Sequence, residues 1–423
     1  MLTMSAFFVL LFLGLPIIFL LLGTAILFVF EAEADMMLNS FLVQSVKGIE
    51  ANGFLAIPLF MLVGEIMTRG QITERLMRTA VRLVGGLRGG LAYVNVVVNA
   101  LAAAILGSAT AQIAVMSRVI VPEMERHGYD RRFAAGLTVA TGLLGPIIPP
   151  SMLMIIYGVL AYQSVATLFI AGIVPGLLIT LFFFVAVAMS GKHLPAASAA
   201  PLPASSWREI GLDALPLLIP VTIIAGIVSG VMTPTESGAV ATVVSVALAV
   251  TVYRSLGFGD VVPLLREVVL SSASIIALIG FATLLGWVLS YKGIPAMMAD
   301  GLASLSVGPV SFLLLVCLVV FILGMFLDGI GVLIFIVPIL LPVAQAFGVD
   351  PIHFGVVLAV ATLTGLVSPP VGPGLYIAMD ATGLKMLPLF KATLPFMFSF
   401  LVALLAIVLL PELSVALPAW LAL

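Results

Sequence analysis

The chain has 423 residues, 63% of them hydrophobic and 9% charged, with a formal net charge of −2 and a mean hydropathy of +1.33. Soluble globular domains carry roughly a quarter charged residues, so a soluble fold is excluded. Uncharged stretches longer than the ~20 residues needed to cross a bilayer, such as Met4–Phe30, mark an all-α polytopic membrane protein whose surroundings are the lipid bilayer. The net charge singles out no partner, and no nucleic acid is expected. The lone cysteine, Cys317, has no internal disulfide partner and reads as a small buried apolar residue.

In chain order, Met4–Phe30 reads as a retained first span, because it lacks the basic flank and short apolar run of a leader. The acidic Glu31–Asp35 follows, then Asp35–Ala51, of mixed polarity and suited to the membrane surface. A second span covers Asn52–Thr68, where Glu65 and Arg69 have i,i+4 spacing. Five arginines lie in Arg69–Arg88, around a surface helix at Gln71–Leu87, and four more in Arg118–Arg132. Cytoplasmic loops collect such residues, so both ends of the uncharged Gly89–Ser117 belong on one side. That predicts a re-entrant hairpin at about 89–122, turning at Leu106–Ala111, with a full span as the rival.

Asp130 and Asp350 each follow a Gly-x turn and are placed to cap a helix. Phe133–Leu160 is a span broken by Pro149-Pro150, and Val165–Ser190 is a further span. Gly191–Glu209, rich in Pro, Ala and Ser, reads as a cytoplasmic linker. Leu215–Val231, Ser237–Tyr253 and Val268–Ser290 are the next spans, with Thr233 and Glu236 forming a capping box. A second hairpin is expected at about 308–342, turning near Gly324–Gly331. It precedes a span at Phe354–Met379 broken by Pro369-Pro370, and Leu394–Leu410 is the last.

A shift of 220 residues pairs Pro122 with Pro342, Gly128 with Gly348, Asp130 with Asp350, Gly145 with Gly365, and the two Pro-Pro pairs with each other. The chain therefore reads as two copies of one unit. Repeat 1 is 1–190, linker and inverting helix 191–236, and repeat 2 is 237–423. The second copy lacks the basic residues of the first, so it is expected upside down. With nine crossings and the N-terminus inside, every basic cluster except Lys47 and Lys292 is cytoplasmic, and the C-terminus is periplasmic.

A Pro-Pro break leaves the carbonyls four residues earlier without their helical donors, and in lipid such a break persists only where it is buried or lines a site. Duplicated hairpin tips and breaks near the midplane place ion and substrate sites there. The first sodium site is expected from Ser108, Thr110, Gly145 and Pro146, the second from Asp328, Thr362, Gly365 and Leu366, with Ser368 as an alternative hydroxyl. Hard oxygen ligands of this kind suit sodium. Substrate is expected near Gly107, Ser108, Asp328 and Gly329 at the tips and Pro150 and Pro370 at the breaks. A carboxylate at membrane depth is usually functional, although Asp328 also has the position of a helix cap. Asn95 and Asn99 share a hairpin face, and the residues leave open whether they serve the site or bond across helices. His127, His193 and His353 fall in loops or helix ends, and no HExxH, GxSxG or Walker loop occurs. No catalytic residue and no cofactor is expected.

The stretches "GSATAQIAVMSRVIVPEMERHGYDRRFAAGLTVATGLLGPIIPPSMLMIIYGVLA" (Gly107–Ala161), "VMTPTESGAVA" (Val231–Ala241) and "LGMFLDGIGVLIFIVPILLPVAQAFGVDPIHFGV" (Leu323–Val356) resemble the large membrane (permease) subunit of tripartite ATP-independent periplasmic (TRAP) transporters, a DctM-like family of the ion-transporter superfamily. The resemblance implies an elevator-type, sodium-coupled importer of small organic acids in the bacterial inner membrane. A small four-helix TRAP membrane subunit and a periplasmic substrate-binding protein are the implied partners. The family often has consecutive serines after the tip glycine, whereas Ala109 follows Ser108 here. A stand-alone sodium-coupled carboxylate transporter of the same superfamily is the alternative. A channel or scaffold, and more remotely a membrane hydrolase, are the readings from other classes.

Overall fold

The computed structural model describes residues 9–10, 15–31, 35–49, 54–70, 72–84, 89–191 and 206–421, and among them there are helices and turns but no strands. The first helices are α1 (Ile17–Glu31), α2 (Phe41–Ile49), α3 (Ala56–Arg69) and α4 (Ile72–Val84). Then come α5 (Gly90–Leu106), α6 (Ala109–Arg126), α7 (Arg131–Gly142), α8 (Met152–Ala161) and α9 (Val165–Met189). The middle of the chain holds α10 (Trp207–Ala214), α11 (Leu218–Val228), α12 (Pro234–Ala247), α13 (Phe258–Tyr291) and α14 (Ile294–Ser304). The last series is α15 (Pro309–Gly324), α16 (Gly329–Ala346), α17 (Pro351–Leu366), α18 (Pro373–Thr382), α19 (Met386–Leu409) and α20 (Glu412–Trp420).

Among the described residues six segments are long and apolar enough to cross a membrane: Val165–Met189, Trp207–Val228, Pro234–Val252, Phe258–Tyr291, Gly329–Ala346 and Met386–Leu409. Every expected crossing has a helix on it, but several bounds differ. The span expected from Val268 begins at Phe258, because the Asp260 carboxylate reaches back to the Gly257 N–H (2.9 Å) and starts the helix ten residues earlier. The one expected from Leu394 begins at Met386 and carries Pro395 inside, a kink that tertiary packing tolerates in a membrane helix. Helix α14, bent 119° from α15, and the C-terminal α20 were not anticipated. Most of the expected linker, 192–205, lies outside the described residues, as do parts of Met4–Phe30, Glu31–Asp35, Asn52–Thr68 and Gln71–Leu87, and His193.

The anticipated caps are present. Asp130 accepts from the N–H of Arg132 (2.8 Å) and Phe133 (3.0 Å), and Asp350 from those of Ile352 (2.8 Å) and His353 (3.0 Å). Thr233 and Glu236 form a reciprocal capping box. Arg69 pairs with Glu65 and also reaches Glu267 of α13 at 2.6 Å.

The centre of the molecule is built from α7, α8 and α17, whose residues are buried almost throughout. A shift of 220 residues carries the bounds of α6 onto those of α16 and the start of α7 onto that of α17. Packing around this centre is crosswise: α8 lies against α16, and α18 against α6. The second half of each broken helix thus meets the hairpin of the other half of the chain, and this brings both tips to one place. The outer helices α12 and α13 bury only one side and present valines and leucines outward, as lipid-facing helices do.

Candidate functional site

Each tip follows from its turn residues. At the first, Gly107 ends α5 in the left-handed region (φ 61°), which glycine adopts without penalty. A Cβ there would also lie 3.1 Å from the Pro150 carbonyl, so the tip sits directly on the break. Ser108 then caps α6, its hydroxyl 3.0 Å from that of Thr110. At the second tip Asp328 caps α16, accepting from the Gly331 N–H at 3.1 Å. Tip and break are tied by the backbone in both halves. The Met152 N–H donates to the Gly107 carbonyl (3.3 Å), and the Gly372 N–H to that of Met325 (3.0 Å).

The breaks satisfy part of their own backbone. The Ser151 hydroxyl, which also caps α8, donates to the Pro146 carbonyl. The Ser368 N–H donates to the Gly365 carbonyl at 3.0 Å. The Pro146 and Gly365 carbonyls, left without their helical donors, thus each find another donor, and a carbonyl oxygen keeps a second lone pair for a further partner. In α17 the Thr362 hydroxyl donates to the Leu358 carbonyl (2.7 Å), and just past its end the Ser368 hydroxyl donates to the Thr364 carbonyl (2.8 Å).

A cavity of about 50 Å³ lies where the two tips meet. Gly107, Ser108, Thr110 and Pro146 line it from one half, and Asp328, Gly329 and Leu366 from the other. Seven of the twelve residues singled out in the sequence thus share one space, although they were assigned to two ion sites and a substrate site. The other five do not line it. Gly145 lies behind Ser108, and Thr362 behind Gly329. Pro150 backs Gly107, Gly365 faces α15, and Pro370 is exposed. Gly365 and Gly324 pack backbone to backbone, and a Cβ on Gly365 would overlap the Phe321 carbonyl. One water needs ~10–15 Å³ of such space, so the cavity has room for a small ion and a few waters but not for a whole organic acid. Its wall is largely apolar, with Met152, Leu153, Ile330 and Leu363, and its polar groups are the Ser108 and Thr110 hydroxyls, backbone and one carboxylate, a hard-oxygen set. Among the described residues no three His, Cys, Asp or Glu side chains come together.

Behind the first tip runs a buried polar chain. Asn95 donates to the Thr138 hydroxyl (2.7 Å), Asn99 to the Asn95 side-chain oxygen (2.8 Å), and Gln112 to the Asn99 side-chain oxygen (2.9 Å). Asn95, Asn99, Gln112 and Thr138 are all fully buried. Both asparagines therefore bond across helices. Gln112 was missed in the sequence, where its position four residues after Ser108, on the same helix face, was the available signal.

The family model described as "Tripartite ATP-independent periplasmic transporter, DctM component" matches residues 4–413. The chain is 33% identical over 414 residues to the sialic acid TRAP transporter large permease protein SiaM of Vibrio cholerae, covering 97% of this chain and 96% of that protein. It is 38% identical over 370 residues to the C4-dicarboxylate TRAP transporter large permease protein DctM of Pseudomonas aeruginosa, covering 87% and 86%. The solved Alcanivorax borkumensis YdaH transporter has a similar fold, with a TM-score of 0.66 at 16% identity over 98% of each chain. With paired tips and breaks meeting at one cavity and likeness along nearly its whole length, this chain belongs to the DctM family of TRAP transporter large permeases and is a transporter subunit, not an enzyme.

Proposed function

We propose that the chain is the transmembrane subunit of a sodium-gradient-driven importer of small organic acids, C4-dicarboxylate, sialic acid or similar carboxylates, and that uptake depends on a periplasmic binding protein. The observation that carries this reading is the small cavity joining Ser108 and Thr110 with Asp328. It supplies hydroxyl and carboxylate oxygens for sodium, while helix N-termini at both tips favour an anionic substrate group. The matching helix bounds at a shift of 220 residues and the uneven basic residues support two inverted repeats. In this reading the hairpins and broken helices form a moving unit, and the outer spans, extended by a small four-helix subunit, form the frame. The protein then lies in the bacterial inner membrane with its N-terminus cytoplasmic and its C-terminus periplasmic.

The test is uptake of a labelled organic acid into proteoliposomes holding this chain and its small partner. An inward sodium gradient is imposed with and without the cognate binding protein. Uptake that requires both supports the proposal. Uptake with sodium alone favours a stand-alone transporter, and uptake indifferent to sodium removes the coupling.

A further inference from the structure

The buried chain behind the first tip has a direction. The Thr138 hydroxyl donates to the Ala134 carbonyl (2.8 Å), so it accepts from Asn95 and fixes that amide. Each later amide is fixed independently by a backbone carbonyl, which can only accept. Asn99 Nδ2 donates to the carbonyl of Asn95 (2.9 Å), and Gln112 Nε2 to that of Asn99 (2.8 Å). The chain therefore ends in an acceptor, Gln112 Oε1, which is fully buried and has no hydrogen-bond partner. A buried acceptor without a donor is costly, and in a native fold it requires an explanation.

The oxygen points at the start of the first break. The place where a Cβ on Gly145 would stand is 2.8 Å from Gln112 Oε1 and 3.0 Å from the Ser108 carbonyl oxygen. Two oxygens converge there; the Ser108 carbonyl already accepts from the Gln112 N–H (3.0 Å) and keeps one lone pair, whereas Gln112 Oε1 has no donor, and the other nearby donors are engaged elsewhere. The Gly145 N–H goes to the Gly142 carbonyl (3.3 Å), and the Ser108 hydroxyl lies against Thr110 (3.0 Å). A buried amide oxygen without a donor, beside a carbonyl with a lone pair to spare, suits a cation as its missing partner. We infer that Gln112 contributes its side-chain oxygen to the cation held between the first tip and the first break, with Asn99, Asn95 and Thr138 as residues that position it. The inference rests on the sodium-coupled reading above and adds a ligand to it. Gln112 and the positioning residues lie outside the set chosen from the sequence.

The experiment follows thermal unfolding of the full purified chain as sodium chloride replaces choline chloride at constant ionic strength. Gln112→Leu should raise the half-saturating sodium concentration at least tenfold. Gln112→Glu loses the donor to Asn99 and should unfold earlier in choline. Because it places a carboxylate at the cation, it should also half-saturate at a lower sodium concentration than the unaltered chain. A purely structural glutamine, or one bridged by a water, would shift the choline midpoint and leave the sodium concentration unchanged. That result in both variants would overturn the inference. If Gln112→Leu does not fold, the near-isosteric Gln112→Glu decides alone. A flat sodium curve for the unaltered chain would instead overturn the sodium-coupled reading itself.

Discussion

Replacing Asp328 by asparagine separates two roles of one side chain. As a cap, Asp328 accepts from the Gly331 N–H (3.1 Å). Asparagine does this equally well, so stability without sodium should change by less than about 0.5 kcal/mol. As a charge, it lines the cavity beside Ser108 and Thr110. A unit charge ~4 Å from a cation contributes about 1 kcal/mol in water and about 4 kcal/mol at an effective dielectric constant near ~20. Asp328 is exposed at the cavity, so the screened end of that range applies, about 1–2 kcal/mol. This corresponds to a ~5–30-fold rise in half-saturating sodium, since each ~1.4 kcal/mol is tenfold. The assay is sodium-dependent thermal stabilisation, which follows the logarithm of ligand over its dissociation constant. Asp350→Asn is the matched control, the same chemical change at a cap on α17 away from the cavity. Should Asp328→Asn keep the wild-type half-saturating concentration, or Asp350→Asn move it as far, Asp328 is a cap and nothing more. Asp328→Ala should show the sodium effect and in addition lose about 1 kcal/mol for the cap.

Gly365→Ala drives a methyl into the Phe321 carbonyl and the Gly324 backbone. Backbone cannot step aside as a side chain can, so a cost above the usual ~1–3 kcal/mol of overpacking is expected. Wild-type yield, melting temperature and uptake together would show that the close α15–α17 contact is not needed. Asp213 is 4% exposed and holds Arg75, Arg78 and Arg82 at 3.2, 3.1 and 3.0 Å. Asp213→Ala should cost about 2–3 kcal/mol, less than the ~3–5 kcal/mol of a fully buried pair because the arginines are partly exposed, and thermal unfolding in nanodiscs measures it. Burial pushes the Tyr253 hydroxyl up to about 12, against the opposing pull of Arg75. Its contribution to stability should be present below pH ~10 and be lost as pH rises towards ~12, because the unfolded phenol ionises first. Tyr253→Phe should flatten that part of the melting-temperature profile, and an unchanged slope would refute the assignment.

The spans and caps were legible because their causes are local. An apolar run of sufficient length, a Gly-x-Asp before a helix, or Thr-Pro-Thr-Glu determines its own geometry within a few residues, and Asp130, Asp350 and Thr233 all cap as their spacing requires. The bounds that failed did so where a local signal was ambiguous. Charged residues at Asp260, Arg266 and Glu267 suggested a loop, yet they lie on the first turns of α13, and Glu267 is held there by Arg69 from α3. That contact joins residues almost two hundred positions apart, and no window of sequence contains it.

The site was legible in its parts but not in its assembly. Glycine, serine and aspartate at the tips and proline pairs at the breaks announce themselves, and seven of those residues do meet. Each half of the chain, read by itself, suggests an ion site at its own tip and break, and no one-dimensional pattern shows that the two tips border one space. The crosswise packing of α8 on α16 and α18 on α6 instead sets each tip against elements of the other half, so Ser108 and Asp328 face one space. Gln112 shows the limit most clearly. Its spacing from Ser108 places it on the same helix face, but a glutamine there is equally well explained by a bond across helices. Only the direction of hydrogen bonding through Thr138, Asn95 and Asn99, on two other helices, leaves its oxygen as the unpaired end. Polarity of that kind is a property of the assembled network, and one-dimensional pattern does not encode it.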